Sequence, residues 1–262
     1  MKKIAVDKQK AKKIALNIFY PLLSFAILMA VWAIAAKVKN DAFVLPMPSA
    51  VLARFFKLGA EQGFWLSVLA TLLRTAICFI TSFVLALFLA ALSGLFKPMH
   101  RVLSPIVSFL RAAPTVAVIF ILYSFMRKDS MAIAVGFLIA FPILYSAFYS
   151  AIVGVDGDLL KMARLYKVSP TDRIRFIYLP SIADCMFDTG RSTLSLTLKV
   201  VIASEMLTNV ARSIGDRIQV AYATMEISYL LAWTLIAIVF SFVLEWAVVG
   251  LKKLWEVLRC RT

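Results

Sequence analysis

Arg74, Arg111, Lys199 and Glu205 stand inside long apolar runs of this chain, with Thr75, Cys78, Ser192 and Ser195 near them in sequence. An ion in such a run is costly to hold, so it faces a wet interior or a partner. The chemistry on offer is not bond-making. A hydrolytic or zinc site needs a cluster such as H-E-x-x-H or a Ser/His pair, and the chain has a single histidine, His100, with no partner at ligand spacing. Cys78, Cys185 and Cys260 show no CxxC spacing, so disulfide and zinc readings both fail. There is no G-x4-G-K-[ST] run to cradle a nucleotide. Ions so placed are compatible with a wet path through an apolar bundle. A lining of Arg74 and Lys199 suits an anion. An enzyme is not expected.

The spacing of the polar residues is helical. Ser67, Thr71, Thr75, Cys78 and Ser82 form one stripe, with Arg74 beside it. Further on, Asp188, Ser192, Ser195 and Lys199 mark one face, and Thr193, Thr197 and Ser204 another. This second segment is the most polar of the apolar blocks and is expected to line a translocation path. Two other readings stay open. Ser and Thr in membrane helices also serve close helix packing. Arg74 can snorkel to an interface, and Asp188 can pair with Arg191 at i, i+3.

The elements that carry these residues follow from composition. Of 262 residues, 62% are hydrophobic, well above the 45–50% or so of soluble domains. The excess falls in blocks of the length a helix needs to cross about 30 Å of hydrocarbon. Backbone groups in lipid must be paired internally, which makes the blocks helices. The expectation is an all-α membrane protein of about six transmembrane helices, over residues 19–36, 65–96, 102–126, 131–153, 189–207 and 229–249. A basic amino-terminal segment, 1–18, precedes one transmembrane domain, 19–253, and a tail, 254–262, follows it. The first apolar run exceeds a signal peptide's, so it is read as a retained helix. Pro114 and Pro142 permit kinks in the third and fourth spans.

The net charge of +15 would suggest nucleic acid in a soluble protein. Here its placement sets topology instead. With the amino terminus inside, cytoplasmic segments hold roughly twice as many basic residues as external ones. Both termini are therefore expected in the cytoplasm, with no nucleic-acid partner. Two connections are long. In the external one, Pro46 and Pro48 keep the chain extended, and Ser49 is expected to cap a short interfacial helix reaching Leu58. In the cytoplasmic one, 154–181, helices are expected over 157–167 and from Thr171 to a stop near Leu179 and Pro180.

That loop resembles the cytoplasmic pattern E-A-A-x3-G-x9-I-x-L-P of permeases of ATP-binding-cassette (ABC) importers. The matching positions are Lys161, Met162, Ala163, Lys167, Ile177, Leu179 and Pro180. Ala163, Ile177, Leu179 and Pro180 agree; Lys161, Met162 and Lys167 depart. Leu45-Pro46-x-Pro48-Ser49, Arg111-Ala112-Ala113-Pro114-Thr115 and Lys199-Val200-Val201-x2-Ser204-Glu205-Met206-Leu207 are similar to the nitrate/sulfonate/taurine branch. The resemblance runs from about Phe43 to Val249. It implies the type I importer permease architecture, with a coupling helix between the fourth and fifth spans. It implies a cytoplasmic ATPase dimer that binds ATP and Mg, so that no cofactor is expected in this chain. It also implies a second permease copy, forming a homodimer, and an external solute-binding protein, in a bacterial inner membrane. A sulfonate, taurine, nitrate or vitamin-precursor-like solute follows from the branch; an ATPase-independent channel or ion-coupled carrier is the alternative. Leu160, Ala163 and Tyr166 are expected to anchor in the ATPase groove, with Lys161, Arg164 and Lys167 as a polar rim. Lys161 is expected to meet an acidic contact on that partner.

Overall fold

The computed structural model describes the backbone of residues 2–41 and 43–259, and the side chains of 19–41 and 43–259. The side chains of the basic amino-terminal segment, and Cys260 with the last two residues, lie outside the described residues. Among the described residues the regular structure is helical.

Helix α1, Lys2–Lys39, stands largely apart from the rest. Among its described side chains, Phe19, Leu22, Phe25, Leu28 and Val31 are all exposed, and only Ala36 is buried. Such a helix is stable where its surroundings are as apolar as it is. Helix α2, Pro48–Leu58, starts two residues earlier than expected. Pro48 occupies its first turn and Met47 precedes it without a side-chain cap, because the ring presets the helical φ at a position whose N–H has no partner anyway. Ser49 is thus not the cap. Nor is α2 a purely interfacial helix. Val51 and Leu58 are fully buried in a core with Phe64, Val68, Trp233 and Ile236.

Helix α3, Phe64–Leu95, has 32 residues and is about 48 Å long, more than the ~30 Å hydrocarbon core. The third expected span is not one helix. It divides into α4, Lys97–Ala112, and α5, Thr115–Tyr123, bent by 95°. Ala113 before Pro114 is extended, with ψ at 129°, the conformation a following proline enforces. Helix α6, Lys128–Val153, by contrast runs unbroken through Pro142. It is packed between its neighbours, and Pro142 itself is buried.

The connection 154–178 holds α7, Gly157–Leu165, and the short α8, Pro170–Arg173. A π-helical turn, Ile174–Tyr178, leads directly into α9, Leu179–Thr208. The expected stop at Leu179 and Pro180 is therefore a beginning. Pro180 cannot donate to the carbonyl four residues back, and the wider turn carries the chain past it. Helix α10, Ile214–Ala223, was not foreseen, and α11, Ile227–Arg259, extends well beyond residue 249.

Among the described residues, four helices are long and apolar enough to cross a membrane, or five if α4 and α5 count as one bent span. Those four are α1, α3, α6 and α11. The remaining expected span, α9, carries too many charges to qualify by composition, yet sits centrally against α3, α6, α10 and α11. The core is built from its contacts. Cys78, Ala132 and Val201 join α3, α6 and α9, and Ala86, Ala90, Val107, Leu144 and Phe148 join α3, α4 and α6.

Candidate functional site

The polar stripe of α3 is packing. Ser67, Thr71, Thr75, Cys78 and Ser82 are all buried. Thr75 donates to the carbonyl of Thr71 at 2.9 Å, and Ser82 to that of Cys78 at 2.7 Å. Small side chains that satisfy themselves let two backbones close up. The approach is tight: a Cβ on Gly136 of α6 would stand 2.7 Å from Cys78 Sγ. Thr75 and Cys78 are thus inside the chain, not on a surface a solute could touch.

Toward the amino-terminal end of that stripe lies a buried ionic knot. The Glu205 carboxylate, wholly buried, accepts from Thr71 Oγ1 at 2.8 Å and from Arg74 Nη1 at 3.0 Å. It also receives the backbone N–H of Gly215 at 3.4 Å. Arg74 reaches further, to Asp129 at 2.9 Å, and Thr71 Oγ1 accepts the N–H of Ile214 at 3.0 Å. A buried carboxylate is held only when charge and hydrogen bonds both answer it. Here α3 and the first turn of α10 supply them, while Asp129 of α6 pairs with the far side of the Arg74 guanidinium. Arg74 therefore does not snorkel outward, and Glu205 does not line a path. Gly215 makes the contact possible, since a Cβ there would lie 2.5 Å from Glu205 Cβ and 2.6 Å from the Ile202 carbonyl. The sequence carried a sign of this. Ser213 three residues before Asp216 is a helix-start pattern, and Ser213 Oγ accepts from the Asp216 N–H at 3.0 Å.

Towards the other end, α9 and α11 are laced together. Asp184 and Asp188 pair with Lys252 at 2.9 and 3.2 Å, and Arg191 with Glu245 at 3.0 Å. Ser195 and Ser241 share a 2.6 Å hydrogen bond. Asp188 and Arg191 thus pair across helices and not with each other. Ser195 is consumed in this seam. Of the residues expected on the path, Arg111, Ser192 and Lys199 remain on the outside of the chain. Ser192, Leu196, Lys199 and Ala203 form one exposed stripe along α9. Arg111 stands on α4, 3.5 Å from Ser146.

The loop that carries α7 is rigidly terminated. Asp156 caps α7 by accepting from the N–H of Asp158 at 2.8 Å. At the other end, Val168 N–H reaches the Ala163 carbonyl at 2.9 Å, and Lys167 has φ at +52°. This is a left-handed helix cap. It explains why a glycine suits position 167, where this chain has lysine. Arg173 Nε ties α8 back to the Val168 carbonyl at 2.8 Å. The anchors differ from expectation. Ala163 is buried and Leu160 half-buried against the chain's own helices. The exposed apolar residues are Leu159, Met162, Leu165 and Tyr166, at helical spacing on the opposite face. Arg164 and Lys167 are exposed beside them, while Ile177, Leu179 and Pro180 are half-buried. Lys161 pairs with Asp158 of the same helix at 2.8 Å.

Comparison with known proteins is consistent with this arrangement. The profile of the family described as "binding-protein-dependent transport system inner membrane component" matches residues 82–255. The nitrate import permease protein NrtB of Synechocystis is 28% identical over 217 residues, 76% of this chain and 78% of that one. The bicarbonate transport system permease protein CmpB of Synechococcus elongatus is 27% identical, covering 65% and 62%. A putative aliphatic sulfonates permease, SsuC of Bacillus subtilis, is 25% identical, covering 71% and 68%. In fold, the chain resembles one from inward-facing conformations of the MetNI methionine ABC transporter. The TM-score is 0.61 at 18% identity, over 72% of this chain and 95% of that one.

Proposed function

The chain belongs to the family of binding-protein-dependent transport system inner membrane components, and from that premise we propose that it forms the solute path of an ATP-driven importer. Two copies pair as a homodimer in a bacterial inner membrane, with both termini in the cytoplasm. A cytoplasmic ATPase dimer binds ATP and Mg, and an external solute-binding protein delivers the cargo. The cargo is a small anion of the nitrate or sulfonate kind. The similarity to nitrate, bicarbonate and sulfonate permeases supports that class, as does the place of Lys199 on the exposed face of α9.

One observation carries the ATP-driven reading. The helix α7 projects Leu159, Met162, Leu165 and Tyr166 away from its own chain, an apolar stripe at the spacing of a helix that fills a partner's groove. The cap at Lys167 and the continuous run from Pro170 to Thr208 connect that helix stiffly to α9. A push on α7 is thereby delivered to the helix that bears Ser192 and Lys199. The residue assignment differs from the one expected at first. Leu160 and Ala163 brace α7 from inside, and Met162, Leu165 and Tyr166 meet the ATPase.

The test is co-purification with a cytoplasmic ABC ATPase co-expressed with this chain. Met162→Glu with Leu165→Glu is expected to cut ATPase association by at least about tenfold, since two apolar anchors are each worth over 1 kcal/mol. Expression and detergent melting should stay unchanged. Wild-type chain that retains no ATPase, or a double variant that assembles normally, sinks the reading. Uptake by liposomes without ATP would return the channel alternative.

A further inference from the structure

Where α3, α4 and α6 end on the proposed cytoplasmic side, a cavity of about 620 Å³ opens between them, α7 and the π-helical turn. Its wall is apolar, with Leu87, Ala91, Leu95 and Ile152 on one side and Leu160 and Ile174 on the other. Its rim is basic, formed by Lys97, His100 and Arg101. No aspartate or glutamate lines it. Among the described residues neither Lys97 nor Arg101 enters an ion pair. The site is also built and not merely open. The His100 ring stacks on Tyr149 with centroids 3.6 Å apart, and Nδ1 meets Tyr145 Oη at 3.1 Å. Tyr145 Oη in turn meets Ser93 Oγ at 2.9 Å, in the buried interior. The imidazole is thus fixed at the mouth by a chain of three polar groups. The apolar wall continues outward onto exposed Phe88, Leu95 and Phe96.

We propose that this cavity binds an anionic phospholipid of the cytoplasmic leaflet. One acyl chain fills the apolar cleft, and the phosphate sits among Lys97, Arg101 and His100. The charge pattern selects the occupant. A cationic rim above an apolar slot, at the depth where helices leave the hydrocarbon, matches a negatively charged head above a chain. The ligand would also brace the packing of α7, because Leu160 and Ile174 form part of the same wall. The leaflet assignment rests on the topology given under the proposed function.

The experiment uses the full-length chain in nanodiscs of phosphatidylethanolamine with a minor fraction of phosphatidylglycerol. After mild delipidation, retained lipid is identified by native mass spectrometry. Wild type is expected to keep phosphatidylglycerol well above its bulk proportion. Lys97→Gln with Arg101→Gln should lower that retention about tenfold, each basic group near a headgroup contributing comparably. Ala91→Trp, which fills the cleft from an exposed position, should lower it with the basic rim intact. All three sites are on the surface, and an unchanged elution profile and melting temperature confirm folding. Retention in bulk proportion, or a double variant that keeps the lipid, overturns the proposal. So does protection of an Ala91→Cys thiol by purified ATPase but not by phosphatidylglycerol, with Cys185 and Cys260 replaced by serine. Labelling of that thiol from outside intact cells would overturn the leaflet assignment. A chain that binds no ATPase yet selects phosphatidylglycerol would refute the importer reading alone.

Discussion

Glu205 and Arg74 look alike in sequence, two ions in apolar helices, and they are in fact one interaction. Their pair is wholly internal on the Glu205 side and nearly so for Arg74, whose side chain is 14% exposed. Breaking such a pair is costly because the survivor remains desolvated. Glu205→Ala is expected to lower stability by about 3 kcal/mol, read as a fall in detergent melting temperature. Replacing both partners with apolar residues should restore much of the loss, since the expense lies in the orphaned charge. Lys167 is strained in the opposite sense. Its left-handed φ costs a residue with a Cβ about 1 kcal/mol, so Lys167→Gly should stabilise the loop by about that much and slow its proteolysis.

At the scale of elements, α10 explains why the knot holds. Its first turn, Ile214 and Gly215, sits on Thr71 and Glu205, so α10 is bound to α9 and α3 through backbone as well as side chains. Gly215→Ala would drive a Cβ into the backbone of α9, where no flexible side chain can yield. A loss of about 1–3 kcal/mol is expected, with α10 becoming accessible to hydrogen exchange before the rest of the molecule. The two prolines make the same point about context. Pro114 breaks its span because α4 and α5 lie at the edge of the bundle and are free to turn. Pro142 leaves α6 whole because neighbours on both sides hold it in place.

At the scale of the molecule, the proposed function assigns the outer surface to lipid, to partners and to the solute. The bare face of α1 and the aliphatic flank of α3 suit lipid. The exposed stripe of α9 is different, because Lys199 forms no ion pair among the described residues, although the Glu245 carboxylate of α11 lies within its electrostatic reach. Lys199→Gln is expected to reduce uptake of an anionic solute at least tenfold, roughly the value of one charge contact in a partly dry path. ATPase association and melting should be unaffected. Uptake at the wild-type rate would return Lys199 to the role of an ordinary exposed lysine.

Hydropathy alone gave an all-helical chain, and four of its apolar blocks are single helices long and apolar enough to cross a membrane, because apolar blocks of this length have few stable alternatives to lipid. The loop spacing from Lys161 to Pro180 likewise gave the family and the position of α7. Three things required the tertiary structure. The hydroxyl stripe of α3 turned out to be internal, because periodicity marks a face without saying what covers it. The apolar face of α7 that looks outward was Met162 and Leu165, not Leu160 and Ala163, since only the packed chain shows which side it uses for itself. Arg74 with Glu205 and Asp129, and Asp188 with Lys252, became pairs across 131, 55 and 64 positions of sequence. Local spacing describes neighbours within one helix, and ionic partners in a bundle are chosen by which helices lie side by side.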